Sequence, residues 1–394
     1  MSSASTSKST NVIKKHQSSG AIGIVVSGGP APGINGVISS TVYAAHARGI
    51  RVKGLKGGFR GIANGDNNAV IDLSPSSLSG GIYKTGGSIL GTSRFNPLSQ
   101  PKTQQTFIKT LADHNIDKLV IIGGEGSAWV SYHLSSTVPD IQVVHVPKTI
   151  DNDLILPNEY PSFGFETARY VGTNILHTLK VDARTSQRWF IVSSMGRKAG
   201  FLALGLGIAS GATLTIIPEE FTGTRPTVDD IVDILLSSIK KRVAVGRPYG
   251  VAVIAEGVLD VVDPDSSELL RSIQRDELGR IRYNMLEIGD VIAPALRERC
   301  QQQSIDIKIN TKNIGYELRC HEPVSFDIEY TTFLGYGAVR LLCEGYSGVM
   351  VTRDYDTLSY QNLHDMVGED GNIKSRTVNL NSDLYQVALD FMTR

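Results

Sequence analysis

Short, unbroken apolar runs alternate along the chain with amphipathic stretches. AIGIVVS (21–27), DKLVIIGG (117–124), IQVVHVPK (141–148), RWFIVSS (188–194), ATLTIIPEE (212–220) and YGVAVIAEG (249–257) are continuously hydrophobic rather than alternating. That is the pattern of strands covered on both faces by helices. After the first run, GGPAPG reads as a loop and INGVISSTVYAAHA as a helix. Residues 163–180 carry Phe165, Ala168, Gly172, Ile175, Leu176 and Leu179 at helical spacing. Strand–helix alternation over most of the chain predicts an α/β protein with mostly parallel sheet, and 394 residues accommodate two such sheets. No internal repeat or long linker is visible.

In open parallel sheets, ligands sit beyond the carboxyl ends of the strands. Five runs end there in polar or glycine-rich groups: SGGPAPG, GGEGS, PKTIDND, SSMGRKAG and AEG. Together they predict a shared cleft. In SGGPAPGIN, Gly28, Gly29 and Gly33 expose backbone N–H groups before a helix start, a combination that favours a phosphate. A tight strand-to-helix turn needs the same glycines, and the spacing matches neither GxGxxG nor the Walker loop. In GGEGSAW, Glu125 can coordinate a phosphate-bound Mg²⁺ or simply be a solvated turn carboxylate.

The stretch VVHVPKTIDND (143–153) sends an apolar run through a proline into a cation and two carboxylates. A strand over 141–146 would push Lys148 to Asp153 out at its tip. Lys148 supplies a point charge for a phosphate. Asp151 and Asp153 repel, so one has a raised pKa or both share a metal. That suits a base taking a hydroxyl proton beside a carboxylate supporting Mg²⁺; an Asx turn is the plainer alternative. Arg197 in SSMGRKAG and Arg94 in GTSRFN offer planar guanidinium groups for spread phosphoryl charge. Glu256 in AEG can accept sugar hydroxyls.

Composition narrows the classes. Lys+Arg and Asp+Glu are 39 each, so the formal net charge is zero and no basic field or amphipathic run points to nucleic acid or a membrane surface. The three cysteines, Cys300, Cys320 and Cys343, form no CxxC pair and fit reduced thiols in the cytoplasm. The eight histidines show no HxxxH or HExxH spacing for zinc. No apolar run approaches the roughly 18 residues of a membrane span. Residues 1–20, rich in Ser/Thr and lacking acids and Arg, read as a disordered tail rather than a transit segment.

In order, GGPAPGIN, GGSILGTSR, GGEGS, PKTIDND, MGRKAG, AEG and GYELR make the chain resemble the phosphofructokinase family over roughly residues 20–350. The resemblance implies two Rossmann-like three-layer lobes with mostly parallel sheets and an active site in the cleft between them. Residues 21–160, with part of 320–394 returning, would be the phosphoryl-donor lobe, and 161–319 the fructose 6-phosphate lobe. It also implies roles. Asp151 removes the proton from the 1-hydroxyl of fructose 6-phosphate. Asp153 and Glu125 hold Mg²⁺. Thr149 and the Gly28 amide contact the transferring phosphoryl group, and Arg94 and Arg197 offset its charge. Gly29, Gly126, Ser127 and Lys148 join Gly28 at the donor. Met195, Gly196 and Glu256 line the sugar pocket with Thr149, while Tyr316 and Arg319 hold the 6-phosphate. Arg188 reaches a neighbouring subunit's sugar phosphate, so a homodimer or homotetramer is implied.

The sequence departs from the family pattern at two points. The family usually carries Asp where this chain has Glu125, which keeps a non-catalytic regulatory paralogue open as an alternative. For the donor, GGDD with PKTIDND resembles pyrophosphate-using members and GGDG with PGTIDND typical bacterial ATP-using ones. This chain pairs Gly126 with Lys148, one feature of each. An Asp at 126 would crowd and repel the α-phosphate of a nucleotide, and Gly126 removes that exclusion. The sequence therefore favours ATP, with pyrophosphate as the alternative.

Overall fold

The computed structural model describes residues 20–78, 80–272 and 286–394, so the expected tail lies outside it apart from Gly20. The chain divides into two compact units. The first runs up to Thr149 and takes in Leu154–Gly164 and Glu322–Ser375; the second holds Ile150–Asp153, Phe165–His321 and Arg376–Arg394. Ile150–Asp153, which motif order assigns to the donor lobe, thus belongs to the second unit.

Among the described residues the strands are, in chain order, β1 (Ala21–Val26), β2 (Val52–Leu55), β3 (Val70–Leu73), β4 (Ile116–Gly123), β5 (Gln142–Thr149), β6 (Phe163–Gly164), β7 (Arg188–Ser194), β8 (Leu214–Ile216), β9 (Gly250–Ala255), β10 (Lys308–Ile314), β11 (Val349–Asp354) and β12 (Thr357–Asn362). The first unit's sheet has the order β12-β11-β5-β4-β1-β2-β3, with β6 added on β5. It is parallel except at its margins, where β3 and β12 run antiparallel to their neighbours. The continuous hydrophobicity of its strands has a direct cause. Ile22, Ile24 and Val26 of β1 face one core with Ile34, Val37, Tyr330 and Leu334. Ala21 and Val25 of the same strand face a second core with Phe107, Leu111, Val130 and Leu134. Helices therefore cover both faces of β1, and none of its six positions is left for a solvated residue.

The second unit carries the all-parallel sheet β10-β7-β9-β8. Helices Phe165–Thr185 and Phe201–Ser210 pack against each other and on β7 and β9, and helices Val228–Ala244 and Ile288–Gln302 form a second pair on the same sheet. The apolar stripe of residues 163–180 becomes helix Phe165–Thr185, with Phe165, Ala168, Gly172 and Leu176 buried. ATLTIIPEE is less extended than its hydrophobicity suggests: β8 stops at Ile216, and Pro218 opens a short 3₁₀ turn, Pro218–Phe221, because proline cannot continue the ladder. Among the described residues, no helix is long and apolar enough to cross a membrane.

Candidate active site

Each unit presents its candidate groups at strand tips. In the first, β5 runs further than expected, through Pro147 to Thr149. Pairing holds it there: Pro147 stays in register with Gly123 of β4, and β6 takes over at Lys148 and Thr149. Lys148 is therefore not pushed out into solvent. Its side chain is buried, and its ammonium donates to the Gly29 carbonyl at 2.5 Å. The Ser162 hydroxyl donates to the Thr149 carbonyl at 2.9 Å.

Beyond β1, the loop 27–33 turns into helix Ile34–His46. Gly33 forms the turn with φ 100°, a region closed to most side chains, and a Cβ there would lie 2.8 Å from Thr331. The Gly28 N–H, expected to face a phosphoryl group, instead donates to the Ser93 carbonyl at 2.9 Å. Thr92 Oγ1 returns the contact to the Gly28 carbonyl at 2.7 Å. These bonds fasten the loop bearing Arg94 to the Gly28 turn, so Gly28 organises the loop rather than offering a spare amide. Glu125 begins helix Glu125–Thr137 after Gly124, with Ser127 buried one turn in. A Cβ at Gly126 would meet nothing within 4 Å.

In the second unit, three parallel strands end together. Ser194 of β7 pairs with Ala255 of β9 and with Ile314 of β10. Met195–Arg197, Glu256 and Tyr316–Arg319 follow these ends directly. The Gly196 and Arg197 N–H groups donate to Glu256 Oε1 at 3.3 and 3.2 Å. A Cβ on Gly257 would stand 1.7 Å from the Arg197 carbonyl, so only glycine lets the two loops meet. Met195 packs where a Gly315 side chain would go, and the Arg319 guanidinium lies 5.3 Å over the exposed Tyr316 ring.

Asp151 sits in the field of this cluster. Desolvation raises its pKa to about 7, helped by the charges of Asp153 and Glu256 and opposed by Arg319 and Arg197. Desolvation likewise raises Glu256, while the Gly196 and Arg197 amides and the two arginines pull it down. Five expected site residues are thus brought within electrostatic reach of one another. Asp151 and Asp153 are not on an extended segment, because Asn152 between them has φ 57°. Arg188 is not among them. It opens β7 at the end opposite Met195 and ion-pairs with Asp182 at 3.8 Å.

Two residues near this cluster carried no sequence signal. Arg376 donates from Nε to the Asn152 carbonyl at 2.8 Å and from Nη2 to Asn152 Oδ1 at 2.5 Å. Buried Glu219 accepts from the Gly200 and Val378 N–H groups, both at 2.9 Å. For Mg²⁺, Glu125 and Asp153 offer hard carboxylate oxygens. The repulsion between Asp153 and Asp151 is a field that a dication relieves. Among the described residues no cluster of three or more His, Cys, Asp or Glu forms a protein-only cage, and Mg²⁺ needs none where phosphates and waters complete its shell.

A family model described as phosphofructokinase matches residues 21–342. The chain belongs to the phosphofructokinase family, whose members are phosphotransferases. It is 42% identical over 382 residues to the pyrophosphate–fructose 6-phosphate 1-phosphotransferase of Thermotoga maritima, covering 95% of this chain and 90% of that one. Identity to the protein of the same name from Naegleria fowleri is 40%, over 95% of this chain and 88% of that one. The ATP-dependent 6-phosphofructokinase of Lactobacillus gasseri is 30% identical over 92% of this chain and 98% of its own. The crystal structure of a pyrophosphate-dependent phosphofructokinase from Marinobacter aquaeolei shares the fold, with TM-score 0.69, 21% identity, and coverage of 94% and 90%.

Proposed function

We propose that this chain transfers a phosphoryl group from pyrophosphate to the 1-hydroxyl of fructose 6-phosphate. The carrying observation is the Asp151 carboxyl, poised at about pH 7 among Asp153, Glu256, Arg197 and Arg319. Asp151 takes the hydroxyl proton as the new O–P bond forms; the P–O–P bond of the donor breaks and orthophosphate leaves. Arg94 and Arg197 offset charge on the group in flight. Glu256 and Met195–Gly196 receive the sugar, and Tyr316 and Arg319 its 6-phosphate. Arg188, at the far end of β7, serves a neighbouring subunit's sugar phosphate, so the active form is an oligomer. Gly29, Gly126, Ser127, Lys148 and Thr149 serve the donor, and Gly28 organises the loop bearing Arg94. Glu125 and Asp153 would hold Mg²⁺, which would neutralise phosphate charge when bound.

The preference for ATP read from Gly126 finds no support among the relatives. The proteins from Thermotoga maritima and Naegleria fowleri, 42% and 40% identical, bear pyrophosphate in their names. The open space at Gly126 removes an obstacle to a nucleotide, but room admits a small donor as readily as a large one. Lys148, fixed on the Gly29 carbonyl, instead supplies a positive charge in the donor loop.

The test is a coupled assay on the purified chain with Mg²⁺, run with each donor. Fructose 1,6-bisphosphate should form with pyrophosphate at a kcat/KM well above that with ATP. Faster turnover with ATP overturns the donor assignment, and no turnover with either overturns the enzyme reading. Because Gly126 has space around it, Gly126→Asp should fold normally, retain pyrophosphate use and lose any residual ATP use.

A further inference from the structure

We infer that Arg376 is a positioning residue for the proton-accepting loop, and that segment 376–378, outside the residues matched by the family model, splints the second unit's reaction loops together. The inference rests on the reading of Asp151 as the base.

Three contacts converge on the dipeptide after Asp151. The Arg376 N–H donates to the Asp153 carbonyl at 2.8 Å. Its guanidinium spans Asn152, reaching the main-chain carbonyl through Nε and the side-chain oxygen through Nη2. A fork donating along two edges fixes both position and rotation of its partner, which a single ammonium cannot do. Asn152 needs such fixing. It sits between two repelling carboxylates in a left-handed conformation that asparagine tolerates but does not enforce. The reverse face of the guanidinium lies 5.0 Å over the Phe201 ring, at the first turn of helix Phe201–Ser210.

Two residues on, the Val378 N–H donates to Glu219 Oε1, which also accepts from Gly200. Gly200 ends the loop that begins at Met195 and includes Arg197. The segment therefore holds the Asp151 loop by one end and the Arg197 loop by the other. Desolvation raises the Glu219 pKa, and the two amide bonds oppose that rise, so the carboxyl works as an acceptor hub within the fold. A shift of the loop by about 1 Å would cost on the order of 10²-fold in turnover, because the proton must be taken over a narrow range of distance and direction. Sugar binding, by contrast, is assigned to Met195, Gly196, Glu256, Tyr316 and Arg319, which follow the ends of β7, β9 and β10 and lie outside the 150–153 loop that Arg376 grips.

The experiment compares the parent with Arg376→Ala, Arg376→Lys and Asn152→Gly, beside Asp151→Ser. Arg376→Ala should lower kcat by ~10²-fold while KM for fructose 6-phosphate stays within about threefold. Millimolar methylguanidinium should restore part of the loss. Arg376→Lys should fall between Ala and parent. Asn152→Gly should add little when combined with Arg376→Ala, because both break the same contact. Independently of activity, amide hydrogen exchange should rise in peptides spanning Ile150–Asp153 with β7 and β9 unchanged. Unchanged kcat and unchanged exchange at 150–153 in a folded Arg376 variant overturn the inference, as does a matched loss of kcat, KM and thermal midpoint. If Arg376→Ala does not fold, Arg376→Lys and Asn152→Gly decide the question by the same two readouts. An Asp151→Ser variant that keeps parental kcat overturns the underlying role of Asp151, leaving the exchange result to judge the positioning.

Discussion

The two units solve opposite problems with their polar groups. In the first, the candidate donor groups satisfy one another. Lys148 sits on the Gly29 carbonyl, Gly28 and Ser93 exchange a backbone bond, and Thr92 closes the remaining acceptor. Such a region has its hydrogen bonds made before any ligand arrives. In the second, Asp151, Asp153 and Glu256 crowd one another, and two arginines only partly offset them. That region holds unfavourable charge which a proton, a metal ion or a sugar hydroxyl can relieve. On the proposed roles, groups that hold a donor can rest in their minimum, whereas a group that must accept a proton near neutral pH cannot.

The contrast can be broken most strongly at Asp151. Asp151→Ser should lower kcat by ~10²–10⁴-fold, the usual worth of a positioned base, in the coupled pyrophosphate assay. The same variant should melt at a higher temperature than the parent at pH 8. The sign follows from the raised pKa: the folded state holds a proton that the unfolded carboxyl releases near its ordinary 3.8, so stability declines as pH rises toward about 7. Above that the buried charge is a cost, which serine removes. An unchanged or lower midpoint at pH 8 would refute the idea of a strained cluster.

Lys148→Met should act the other way in the first unit. Losing a charged hydrogen bond worth ~1.5–3 kcal/mol should lower the melting temperature and also raise KM for pyrophosphate. A variant as stable as the parent would mean that the Gly29 contact is incidental. The gentlest test is Glu256→Gln. Glu256 charge raises the Asp151 pKa, so its removal should move the acid limb of the kcat/KM profile to lower pH than the parent's limb near about 7. A limb that stays in place, or moves up, would assign that titration to another group.

Much of this was legible in the sequence because burial on both faces leaves an unmistakable signature. β1, β4, β5, β7 and β9 each correspond to an unbroken apolar run. The margins were not legible: VKGL of β2 and VIDL of β3 are too short and mixed to register, and their pairing depends on a neighbour rather than on their own composition. Among the site residues, the motifs singled out Asp151, Glu256, Arg197 and Arg319, which lie within electrostatic reach of one another. They did not give the occupancy of Gly28 and Lys148, since those bonds close over 65 and 119 positions of chain. Arg376 was invisible for the same reason. A lone arginine in a polar stretch has no periodicity, and its partner lies 224 positions earlier.

That last separation has a bearing on how the molecule is made. The loop carrying the proposed base is synthesised 224 positions ahead of the arginine that clamps it. Both sheets, whose last strand ends at Asn362, can therefore form while that loop still lacks its brace. The positioning of Asp151 should thus follow, rather than accompany, assembly of the sheets.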